Sequence, residues 1–66
     1  MSARFADTDR MLCVDEVIDR LGISRATFYR WRGVGRGPRS VRLPNGEIRI
    51  WQSVLEQWLR ALEDAG

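Results

Sequence analysis

Seven arginines stand between Ser24 and Ile50, at positions 25, 30, 32, 36, 39, 42 and 49, against a single carboxylate, Glu47. A guanidinium is a rigid planar fork of N–H donors that matches a phosphate or the edge of a guanine. This stretch carries a local charge of +6 in a chain whose net charge is +2, and the segments on either side are mildly acidic. Such a distribution points to a surface that meets a polyanion. Tyr29 lies among these cations and can offer its hydroxyl to a phosphate. Every one of the eleven Lys+Arg positions is arginine. A GC-rich coding bias explains the missing lysine as well as chemistry does, but it does not explain the clustering.

The remaining composition narrows the choice. The 66 residues include no histidine and one cysteine, Cys13. That removes imidazole acid–base chemistry, Ser–His and Cys–His nucleophiles, an intrachain disulfide and zinc sites of the usual spacing. Neither an enzyme nor a metal or cofactor site is expected. No apolar run approaches the ~20 residues that span a bilayer, and no apolar leader opens the chain. A lone thiol agrees with a reducing, cytoplasmic setting.

The elements that must position the arginines are legible from capping and periodicity. Ser24 can cap a helix that runs to Gly33, with Ile23 and Phe28 at the two staple positions. Gly33 is placed as its left-handed terminator. Phe28 and Trp31 share one face of this helix, and Arg25, Ala26, Tyr29 and Arg30 lie on the other. Upstream, Val14, Val17, Ile18 and Leu21 form the stripe of a first helix over Leu12–Gly22. Cys13 and Glu16 stand at capping-box positions, and Leu12 can staple to Val17. Two short helices joined through Gly22-Ile23 make a helix-turn-helix. Residues 33–39 are a glycine-rich loop. Val41, Leu43, Ile48 and Ile50 then alternate with Arg42 and Arg49 around Asn45-Gly46, which predicts a hairpin. A two-residue turn there sets Arg42 opposite Arg49, a like-charge pair that a phosphate backbone would relieve. Ser53 and Glu56 form a second capping box, and Leu55, Trp58, Leu59 and Leu62 the stripe of a last helix over Ser53–Ala65. Phe28, Trp31 and Trp58 read as core. Residues 1–10 read as a frayed tail and 11–66 as one domain, mainly α with a small β-hairpin, in the order helix-helix-hairpin-helix.

These residues carry a family resemblance. Leu12-Cys13-Val14-Asp15-Glu16-Val17, Leu21-Gly22-Ile23-Ser24 and Thr27-Phe28-Tyr29-Arg30-Trp31 resemble the L-T-x-x-E-V, L-G-V-S and T-V-Y-R-W of the MerR-type winged helix-turn-helix. Ser53 through Trp58-Leu59 is similar to its closing S-D-V-x-x-W-L. The match covers Met11 to about Leu62 and is nearest to the small single-domain branch, the phage excisionases and AlpA-like regulators. Cys13 departs from a capping threonine, Val54 from an aspartate, and Trp51 from a common basic residue.

The resemblance implies a winged helix-turn-helix whose second helix enters the major groove of double-stranded DNA. Arg25, Ala26, Tyr29 and Arg30 would face the bases there, and Ser24 and Thr27 would touch phosphate or cap the helix. Arg42 and Arg49 would lie on the wing, with Arg36 and Arg39 at its root. It further implies an accessory protein of recombination that bends DNA, self-associates head to tail and redirects an integrase toward excision, acting on DNA in a bacterial cytoplasm. The alternative is an AlpA-like transcription regulator. A sequence ending near its last core helix, without a sensor or coiled-coil extension, favours the excisionase. No membrane or small-molecule partner is expected. Trp51 is a candidate for contact with a neighbouring protomer.

Overall fold

A computed structural model describes residues 9–65. The tail expected over 1–10 falls mostly outside the described residues. The elements are β1 (Met11–Cys13), α1 (Val14–Leu21), α2 (Arg25–Gly33), β2 (Val41–Arg42), β3 (Ile48–Trp51) and α3 (Gln52–Ala65). The strands form one antiparallel sheet in the order β1-β3-β2. This is a winged helix-turn-helix, with one more strand than the hairpin supplies.

The first helix begins at Val14 and not at Leu12, because Met11–Cys13 pairs with β3. Leu12 sits opposite Ile50, and both are fully buried. Pairing of strands some forty residues apart overrides the local helical period. Cys13 keeps an extended backbone (φ −82°, ψ 167°) and is the N-cap of α1 as expected, so strand leads directly into helix. The Glu16 carboxylate accepts from the Cys13 N–H at 3.3 Å. Gly22 turns the chain, and Ile23 donates its N–H back to the Ile18 carbonyl at 3.1 Å.

The α2 helix starts as the sequence predicts but stops later. Gly33 is its last helical residue, and the left-handed position belongs to Gly35 (φ 73°). Arg36 and Gly35 donate to the Trp31 and Arg32 carbonyls at 2.8 and 3.2 Å, a Schellman closure displaced by two residues.

The hairpin register also differs. Val41 faces Arg49 and Arg42 faces Ile48. Pro44, Asn45 and Gly46 form a three-residue loop. Gly46 donates to the Leu43 carbonyl at 2.8 Å and Leu43 to the Glu47 carbonyl at 2.8 Å. Pro44 fits the second position of such a turn, and Gly46 (φ 89°) supplies the left-handed residue that closes it. A one-residue slip exchanges faces. Arg42 and Arg49 therefore lie on opposite faces of the sheet, and the opposed like-charge pair does not form.

The core consists of Leu12, Val14, Val17, Phe28, Ile48, Ile50 and Leu55, flanked by Ile18, Leu21, Ile23 and Trp58. Trp31 is half-buried and belongs to a satellite, not to this core. Its ring lies 6.2 Å from that of Trp58, tilted by 47°. The Trp58 indole N–H donates to the Arg36 carbonyl at 3.2 Å. The last helix is not begun by a Ser53–Glu56 box. Asp9 accepts from the Ser53 backbone N–H at 3.0 Å and from its hydroxyl at 2.8 Å, while the Arg10 carbonyl accepts from the Gln52 N–H at 2.8 Å. Glu56 instead accepts from the Gln52 amide at 3.1 Å. The 14 residues of α3 run past the short strands they cover, so Leu59 and Leu62, expected on its buried stripe, remain 37% and 50% exposed.

Candidate nucleic-acid interface

The site is built on α2. Phe28 anchors its inner face in the core, which fixes the rotation of the helix and leaves Arg25, Ala26, Tyr29 and Arg30 exposed. The Tyr29 ring stands edge-on to Phe28, with centroids 5.4 Å apart, and is 42% exposed. Ser24 and Thr27 serve the helix start. Ser24 Oγ accepts from the Thr27 N–H at 3.1 Å, and its hydroxyl donates to Thr27 Oγ1 at 2.9 Å. Of the two roles expected for this pair, the cap is the one present.

Between the N-terminal half of α2 and the hairpin lies a concave groove of about 430 Å³. Asp15, Arg25, Tyr29, Gly46, Glu47 and Arg49 line it. Helix and wing residues that the sequence places seventeen or more positions apart thus share one surface. Its electrostatics are not those of free cations. Arg25 is ion-paired with Asp15 at the start of α1. Arg49 is paired with Glu47 and also donates to the Ile48 carbonyl at 3.2 Å. Glu47, at the close of the turn, therefore lies beside Arg49.

The other site residues surround this groove. Arg30, Arg36, Arg39 and Arg42 are exposed, and among the described residues no carboxylate pairs with them. Arg39 lies with Arg32, Gly35 and Pro38 around a separate depression beside the loop. Arg32, which sequence reasoning left without a role, donates from Nε to Ser40 Oγ at 3.0 Å and ties the loop to α2. Trp51 is half-buried, paired in register with Met11 on the sheet face that also carries Arg49.

Three contributors escaped the sequence: Asp9, Asp15 and Arg32. Asp15 and Arg25 are ten residues apart on different helices, so no helical or strand period links them. Glu47 and Arg49, two apart on the segment that leaves the turn, did carry a signal, because extended residues two apart share a side. Glu16, beside the groove, has its carboxyl held below the usual carboxylate range, chiefly by the Cys13 backbone N–H.

Residues 11–63 match the model of a family described as a helix-turn-helix domain. No curated protein and no solved structure matches the chain. Among the described residues, no helix is long and apolar enough to cross a membrane.

Proposed function

The chain belongs to the helix-turn-helix domain family and is a small DNA-binding protein, and from that premise we propose that it is a DNA-bending accessory factor of site-specific recombination, an excisionase. The observation that supports its DNA-binding part is the shared groove, where Arg25 and Tyr29 of α2 meet Arg49 of the wing. In this reading α2 enters the major groove with Arg25, Ala26, Tyr29 and Arg30 toward base edges. The hairpin lies along the adjoining backbone, where Arg42 reaches a phosphate, while Arg49, on the opposite face, turns into the groove beside α2. Arg36 and Arg39 touch the backbone at the root of the wing. Protomers bind neighbouring sites head to tail, bend the duplex and present it to an integrase.

The test has two stages. Selection from a random duplex pool should yield a short motif protected by the wild-type protein. The selected motif should then lie in the attachment region of an integrase encoded beside this gene, and adding the protein should switch that integrase from integration to excision. A selected motif that lies in a promoter, with transcription altered and excision unchanged, identifies an AlpA-like regulator instead.

A further inference from the structure

Among the described residues, the groove where α2 meets the wing is the one part of the basic surface that is neutralised from within. Two guanidiniums line it, and each is held by a carboxylate of the same groove: Arg25 by Asp15, Arg49 by Glu47. The arginines around it, Arg30, Arg36, Arg39 and Arg42, have no such partner among the described residues. The Asp15–Arg25 pair is not needed to satisfy a buried charge, since its side chains are 71% and 54% exposed; in the second pair Glu47 is 54% exposed and Arg49 27%.

We propose that Asp15 and Glu47 are specificity-determining residues that bar the groove to phosphate and keep its arginines for base edges. The proposal rests on the DNA-binding reading above. A phosphate entering the groove must displace a carboxylate from the guanidinium it needs and is repelled by that carboxylate once displaced. A guanine edge imposes no such cost. It offers two acceptors without a full negative charge, and the carboxylate can stay on the other N–H groups of the fork or accept from a cytosine amino group. Random DNA is therefore held by the outer arginines alone, while a correct site also engages Arg25 and Arg49.

The consequence is read in the salt dependence. An arginine already neutralised by its own carboxylate returns little counterion release when it meets phosphate, because the freed carboxylate takes up a cation. Removing the carboxylate should steepen the slope of log K against log salt by about 0.9 per arginine released. The experiment compares the full chain with its Asp15→Asn and Glu47→Gln variants on two probes. Both probes accommodate a single protomer: one has random sequence, and the other is the single-site duplex that the wild type selects from a pool. Asp19→Asn, on the same helix but outside the groove, removes the same charge as a control.

Expected are random-duplex affinities about two- to fivefold higher for Asp15→Asn and Glu47→Gln, steeper slopes, and a lower ratio of selected to random affinity, with Asp19→Asn like wild type in slope. Slopes that match the Asp19→Asn control, with only the melting temperature changed, would make the pairs structural and overturn the proposal. Equal tightening on both probes would overturn the specificity role. If the wild type neither binds the random duplex nor selects a motif, the DNA-binding reading itself fails; that result is distinct from the other two.

Discussion

Arg30 occupies the middle of the exposed face of α2 and has no carboxylate partner among the described residues. It differs in this from Arg25, whose fork is shared with Asp15. The loss of one bidentate base contact costs about 1–3 kcal/mol. Arg30→Ala should therefore weaken binding to a selected duplex by that amount while circular dichroism shows unchanged helix content. A gel-shift titration with wild-type affinity and selectivity would remove Arg30 from the interface. Glu16 gives a second expectation, this time of stability. Its carboxyl is lowered chiefly by the Cys13 N–H it accepts from. A depressed folded-state pKa contributes stability that is present above the unfolded carboxylate range and is lost as pH falls through the lowered value. The loss on acidification should be smaller in Glu16→Gln than in the wild type. Melting curves taken from neutral to acid pH check this, and parallel profiles would deny Glu16 the role.

At the scale of elements, the sequence was legible wherever the determinant is local. Ser24, Phe28 and the exposed Arg25, Ala26, Tyr29 and Arg30 of α2 follow from capping and a 3.6-residue period, and all lie where that reasoning puts them. It failed where the partner is distant or the turn is ambiguous. Met11–Cys13 becomes a strand only because β3 returns beside it. Asn45-Gly46 suggested a two-residue turn, but Pro44 joins the loop and moves Arg42 and Arg49 to opposite faces. Asp9 caps α3 from 44 residues away. Asp9→Ala should thus destabilise the domain by about 0.5–2 kcal/mol, read as a lower melting temperature with amide exchange fastest at the start of α3. An unchanged melting temperature would count against the cap. The Trp31–Trp58 satellite predicts a different signature. Fully buried aromatics cost about 3–5 kcal/mol when truncated, and this half-buried pair should cost less. Trp58→Ala should remain folded at low temperature yet loosen the Arg36 loop, which its indole N–H holds. Protease cleavage within residues 33–39, faster than in the wild type, is the readout, and global unfolding at low temperature would show that the core itself depends on the Trp58 packed against it.

At the scale of the molecule, one recognition helix and one short wing give a brief footprint, so a unique site calls for several protomers. The charge distribution allows them to line up. With the basic middle of the chain on DNA, α1 still presents an open groove in which Glu16 and Asp19 flank Ile18 and Ile23. At the other end of α2, Arg36 and Arg39 are both exposed, so a protomer that holds the backbone through one of them has the other left for its neighbour. A contact between these two different patches is heterologous. It does not close into a dimer and propagates along the duplex instead. The expected outcome is weak self-association in solution and cooperative binding to tandem sites, with the second protomer binding about tenfold more tightly beside the first than alone. Because Asp19 lies on the acidic patch and outside the helix–wing groove, Asp19→Asn should reduce this cooperativity and leave single-site affinity unchanged. Titrations on one site and on two correctly spaced sites measure both quantities, and circular-permutation shifts report the bend. Equal affinity for the first and second protomer, on DNA that stays straight, would reduce the protein to independent monomers and leave its DNA contacts as described.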